Sequence, residues 1–156
     1  MADTKRLQVL KALTTLLETV PGVQLVSRGR TTFGDRDPLP RVTIVEALNP
    51  DREMQPAGDR PQQMDGWVLL LLGHAPDDRD HPTDPAHNLM GEVKKVLARI
   101  ADRAPGNSDY MLGGLVTRID IEPGTVRPPD DLSMLAYFYL RVRLTVVERL
   151  FDPFSL

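Results

Sequence analysis

At 156 residues the chain has the size of one domain, and a chain of that length buries roughly 68–70% of its unfolded surface, so it needs no disulfide or metal staple. Its 41% hydrophobic and 26% charged residues are those of an ordinary globular protein, which excludes a fibrous, low-complexity or wholly disordered chain. With 22 acidic against 19 basic residues it has no broad positive field for nucleic-acid phosphates, and without cysteine it has no disulfide, thiolate nucleophile or thiolate zinc site.

Leu7, Leu10, Leu13, Leu17 and Val20 recur at three- and four-residue spacing after Thr4, which predicts an amphipathic helix capped by Thr4 and stopped at Pro21-Gly22. Residues 23–27 alternate and 41–48 (RVTIVEAL) are rich in β-branched side chains, so both read as strands. Residues 65–74 (DGWVLLLLGH) are apolar at consecutive positions, as in a central strand covered on both faces. Trp67 and Leu69–Leu72 are therefore assigned to the core. A second helix is expected from an Asp84 cap and Pro85, through the stripe Leu89, Met90, Val93, Leu97 and Ile100, to Pro105-Gly106. Residues 115–121 alternate up to Pro123-Gly124, and residues 135–150 keep a period of two, with Tyr137, Tyr139, Arg141, Arg143 and Arg149 on one face. The order is helix, three strands, helix, two strands. It predicts a single α+β domain over 1–156, with a mixed or mostly antiparallel sheet of about five strands and two helices on one face.

Catalytic signals are sparse. The segment 74–87 (HAPDDRDHPTDPAH) holds all three histidines and four aspartates, and His74, Asp78, His81 and His87 could serve a metal-dependent hydrolase, the alternative from another class. Its spacing matches no metal motif, and three prolines between a strand and a helix read as a solvated loop. Gly113-Gly114 has no helix behind it to form a phosphate loop, and no serine sits in a nucleophile elbow. No catalytic, metal or cofactor-binding residue is nominated, no cofactor is expected, and the chain is read as a non-enzyme. The first twenty residues are broken by charge and the run 67–72 is too short to span a bilayer, so no membrane insertion is expected, while the absence of cysteine points to a cytosolic compartment.

Assembly is better signalled. The connections 28–40, 49–64 and 122–134 are each about a dozen residues or more, long for a compact domain and typical of functional loops. With all neighbours antiparallel, 28–40, 74–84 and 122–134 emerge at one end of the sheet and 49–64 at the other. In the first of these Arg28, Arg30 and Arg36 outnumber Asp35 and Asp37, whereas Asp77, Asp78, Asp80, Asp130 and Asp131 make its neighbours acidic. The last strand, at about 3.3 Å per residue, would reach roughly 50 Å and must bend, bulge or leave the body. Its Tyr/Arg face has the composition of a protein–protein interface.

The stretches PRVTIVEAL, GWVLLLLGHAP, DPAHNLMGEVKKVLARI and VRLTVVERLFDPF, in this order behind an N-terminal helix, resemble the tail terminator proteins of long-tailed bacteriophages, the minor tail protein U type. The resemblance covers nearly the whole chain and lies in the order of elements. It implies a structural virion protein of the tail, made in the host cytoplasm. Such a subunit forms a homo-oligomeric, hexameric ring that caps the head-proximal end of the tail tube and joins it to neck and head-closure proteins, with DNA only as cargo through the lumen. A head-side neck or tail-completion connector shares this style and stands as the alternative. Under the resemblance, Arg28, Arg30, Arg36, Arg41, Tyr137, Tyr139, Arg141, Arg143 and Arg149 are candidate subunit contacts. Asp51, Arg52, Glu53, Met54, Asp59 and Arg60 form the candidate tube-docking loop.

Overall fold

The computed structural model describes residues 2–30, 37–46, 61–130 and 133–154. Helix α1 (Lys5–Leu17) starts where expected, the backbone N–H of Leu7 donating to Thr4 Oγ1 at 3.3 Å. Strands β1 (Leu25–Arg28), β2 (Arg41–Glu46) and β3 (Gln62–His74) precede helix α2 (Asp84–Leu97), and β4 (Arg118–Ile121), β5 (Thr125–Arg127) and β6 (Tyr137–Arg149) follow it. Helix α2 is capped by position at Thr83 rather than Asp84. The Asp84 carboxylate lies in the first turn, where it favours the helix dipole without making a cap hydrogen bond. No helix among the described residues is long and apolar enough to cross a membrane.

The sheet is mixed, in the order β1-β2-β3-β6-β4, with β5 also on β6. It has the α+β arrangement expected, with two corrections. First, β5 is an additional short strand, and together with β4 it forms one interrupted edge along β6, bent at Pro123-Gly124. Second, β1 runs parallel to β2, while every other pairing is antiparallel. A parallel pair has its connection start and finish at opposite ends of the sheet: Arg28 lies opposite Ile44, away from His74, and Arg41 lies opposite His74, so the expectation that both ends of 28–40 join the loops after His74 does not hold. Strand β3 begins, at Gln62, at the end of the sheet opposite the 75–83 loop.

Strand β6 pairs with β3 at all thirteen positions, from Gln62 opposite Arg149 to His74 opposite Tyr137. Its expected overreach is accommodated because β3 is equally long. Alternation puts Phe138, Leu140, Val142, Leu144 and Val146 of β6 on the same face as Trp67, Leu69 and Leu71 of β3 and Val42 and Ile44 of β2, all buried. Val9, Leu13, Leu16 and Leu17 of α1 and Ala86, Leu89, Val93, Val96 and Leu97 of α2 close over them as one cluster. Each valine, leucine, isoleucine or phenylalanine among them contributes about 1.5–3 kcal/mol by leaving water. Val68, Leu70 and Leu72 point the other way and are only partly buried. The expectation that β3 is covered on both faces therefore holds for one face, because both helices pack on the same side.

The core ends in a charged clasp. Arg6 lies over the Trp67 ring, its Cζ 5.0 Å from the centroid, and its guanidinium bonds Asp65 of β3 and, at 2.6 Å, Glu148 of β6. Lys5 Nζ adds a 2.7 Å bond to the Val147 carbonyl. Arg6→Ala leaves two largely covered carboxylates facing each other without their shared cation and is expected to cost about 2 kcal/mol or more. Urea unfolding followed by the single tryptophan would read this; an unchanged midpoint would show the clasp to be ornamental.

Candidate assembly surface

The face of the sheet turned away from the helices carries no helix among the described residues. Along β6 it presents Tyr137, Tyr139, Arg141, Arg143 and Arg149, and along β3 Val68, Leu70, Leu72 and His74. In register, Arg143 faces Val68, Arg141 faces Leu70, Tyr139 faces Leu72 and Tyr137 faces His74. The result is an aliphatic strip bordered by two tyrosines and two arginines. Gly66 on β3 gives Arg143 room to lie flat, since a methyl group there would stand 3.0 Å from Arg143 Cδ.

Most cations at this surface are neutralised locally. Arg141 Nε is 3.2 Å from Glu122 Oε2, and the other oxygen of Glu122 accepts the Arg141 backbone N–H at 2.8 Å. Arg118 pairs with Asp120 at 3.0 Å, and Arg127 lies 3.7 Å from Asp130. Arg143 and Arg149 have no acidic partner among the described residues. Arg143 borders a shallow depression of about 270 Å³ with Val68, Asp120, Glu122 and Arg141.

At the end of this face His74 stacks on Tyr137, with ring centroids 5.7 Å apart and planes inclined by 26°. Arg41 stands opposite His74 in register and is 7% exposed. Burial, and then the Arg41 charge, push the His74 imidazole down to about 4, so it is neutral at pH 7. Burial likewise lowers Arg41, partly offset by Asp37, while Arg30 adds to the lowering. Arg30 pairs with Asp37 at 3.0 Å.

Of the sequence-predicted contacts, Tyr137, Tyr139, Arg141, Arg143, Arg149 and Arg41 therefore share one sheet face. Arg28 does not join them: it pairs opposite Ile44, whose side chain enters the core, so Arg28 alternates to the helix side at the sheet edge. Arg30 lies beyond β1 in its ion pair. Arg36, and the tube-docking candidates Asp51, Arg52, Glu53, Met54, Asp59 and Arg60, lie outside the described residues. In the His/Asp segment, Asp78 Oδ1 accepts the backbone N–H groups of Asp80 and His81, both at 3.0 Å, which holds its carboxyl below the usual range. His81 and His87 are exposed, and His74 belongs to the sheet face. Among the described residues no three metal-ligating side chains converge.

Sequence reasoning missed a second set of residues. Met64, Leu150, Phe151 and Phe154 are 59%, 41%, 90% and 46% exposed, respectively. They gather where β3 begins and β6 ends, since Met64 pairs with Val147 and the Leu150 N–H donates to the Pro61 carbonyl at 2.9 Å. The available signal was two phenylalanines spaced around Asp152-Pro153 just past a strand, which an apolar count alone assigns to a core.

No protein-family model matches the chain, and no curated protein matches it.

Proposed function

We propose that this protein is a structural subunit that assembles with copies of itself into a tail-terminator-like ring of six, capping the head-proximal end of a phage tail tube and joining it to the neck. No reaction is involved in this reading. Its work is to present surfaces in the assembled virion tail, with DNA passing only through the lumen. The observation that supports it best is the sheet face turned away from the helices, where the partly buried Val68, Leu70 and Leu72 are bordered by Tyr137, Tyr139, Arg141 and Arg143. An apolar centre rimmed by Tyr and Arg is the anatomy of a protein–protein interface, and a ring requires each copy to meet the next through two unlike surfaces.

Sedimentation of the purified 17.4 kDa chain over a wide concentration range is expected to give a closed oligomer. Leu70→Asp is expected to reduce it to monomer with the circular dichroism unchanged, because Leu70 lies outside the helix-covered core. The oligomer, added to polymerising tail tube protein, should stop tube growth at short lengths. A protein that stays monomeric and leaves tube length unaltered rules the reading out.

A further inference from the structure

The turn that follows β6 is held in one shape while displaying an aromatic ring to water. The Asp152 N–H donates to the Arg149 carbonyl at 3.0 Å, and the Phe154 N–H donates to Asp152 Oδ1 at 3.3 Å. The turn is pinned to α1 twice: the Lys5 N–H donates to the Pro153 carbonyl at 2.8 Å, and Gln8 Nε2 to the Phe154 carbonyl at 3.1 Å. Phe151 nevertheless stays 90% exposed. A pre-ordered, solvated phenylalanine costs little further entropy on docking and has the makings of a binding hot spot.

A complementary hollow of about 280 Å³ lies elsewhere on the same chain, lined by Ala12, Thr15 and Leu16 of α1, by Thr19 just past the helix, and by Asp109, Leu112 and Gly113. Its far wall is the turn Met111–Gly114, in which four successive residues have positive φ, namely 51°, 50°, 70° and 93°. Left-handed backbone is unfavourable for Met111 and Leu112. It turns Leu112 inward and leaves bare Gly113 at the rim. The turn after β6 cannot fill this hollow itself. Its carbonyls are fixed to Lys5 and Gln8, whereas the hollow starts at Ala12, about 6 Å further along the helix at 1.5 Å per residue, and continues past the helix end.

At the hollow Asp109 is already paired with Arg99 at 3.8 Å, and next to Phe151 the Asp152 carboxylate accepts the Phe154 N–H, so the charges left over at the two features are opposite. Arg149, two residues before Phe151, has no acidic partner among the described residues, and Glu18, one helical turn from Thr15 at the mouth of the hollow, has no basic one. We infer that Phe151 of one copy seats in the α1 hollow of the next, with Arg149 meeting Glu18. This is a heterologous contact, in which knob and socket are different surfaces of the same chain. It rests on the self-assembly reading above and adds to the sheet face the two unlike surfaces that a closing contact needs.

The 156-residue protein is tested by sedimentation at a series of concentrations. Phe151→Ser, which touches no core residue, and Thr15→Arg, which fills the mouth of the hollow, are each expected to weaken self-association at least tenfold with an unchanged melting temperature. Arg149→Glu and Glu18→Arg are each expected to weaken it, and the two together to restore it. If the wild type assembles and Phe151→Ser assembles equally well, the knob contact is overturned and self-assembly stands. If the charge reversals are additive rather than compensating, the Arg149–Glu18 register is wrong. A wild type that is monomeric at every concentration overturns both.

Discussion

Gly73→Ala is expected to cost about 3 kcal/mol or more, and a chain of this size has only about 5–15 kcal/mol to lose. Gly73 lies on the helix-facing side of β3, directly opposite Phe138. The Phe138 ring lies across it so closely that a methyl group at Gly73 would stand 2.0 Å from Cε1 and 2.4 Å from Cζ. Phe138 is fully buried between the sheet and the helices, so the ring has nowhere to go without moving strand or helix. Phe138→Ala removes the obstruction but leaves a cavity, at about 3–5 kcal/mol. The two changes are therefore expected to be strongly non-additive: in the Phe138→Ala background the added methyl group enters space the ring has vacated, and its cost should largely vanish. A denaturant double-mutant cycle measures this directly. Additive losses would mean that Gly73 is required for its backbone rather than for the ring.

The second large effect is on acid stability. In the unfolded chain His74 titrates at its ordinary value of 6.5, and in the folded protein at about 4. The folded state therefore binds the proton less readily, so this group's contribution is fully present above pH 6.5 and drains away as the pH falls towards 4. Each pKa unit is worth about 1.4 kcal/mol, which sets the loss at no more than about 3.5 kcal/mol before solvent screening of this partly exposed ring reduces it, with up to about 2 kcal/mol gone at pH 5. Below about pH 4 the folded imidazole is protonated as well and the slope from His74 ends. His74→Phe keeps a ring against Tyr137 and cannot take the proton. Its unfolding midpoint is expected to be nearly flat between pH 7 and 5, where the wild type falls. Parallel curves for the two proteins would show that His74 does not carry the acid sensitivity.

Those two residues also mark how far sequence reading reaches. The period of two through residues 135–150 identified which side chains of β6 share a face, because alternation is a property of the strand itself. Likewise Thr4 located the start of α1, whereas the helix ends at Leu17, three residues before the Val20 to which the apolar spacing extends. What Gly73 must accommodate, and that His74 is covered, follow from the register between β3 and β6, which no local pattern encodes. The parallel pairing of β1 with β2 was hidden for a related reason. Four-residue β1 carries no mark of direction, and the 28–40 connection contains no helical pattern to announce a crossover. Thr125-Val126-Arg127 is a strand only because β6 offers it an edge, a case of tertiary context overriding a weak local preference.

At the candidate surface, composition pointed to the tyrosines and arginines of β6, and the sheet gathers them on one face with Arg41. It did not separate Arg28 from that group, since the sign of an alternation depends on the strand's partner. Phe151 and Phe154 were invisible for the opposite reason: apolar side chains are read as interior unless the fold is seen to leave them outside.

The position of β6 has a consequence for how the molecule is made. The last strand in chain order lies inside the sheet, between β3 and the β4–β5 edge. Until residues 137–149 have been synthesised, β3 carries thirteen residues of unsatisfied backbone along one side, and the helices lack half of the floor they rest on. Folding must therefore wait for its most distant pairing, the pattern that slows formation and leaves nascent chains open to edge-to-edge association. A nonsense mutation anywhere in β6 should accordingly give inclusion bodies rather than a shortened soluble protein, however much of the chain has already been translated.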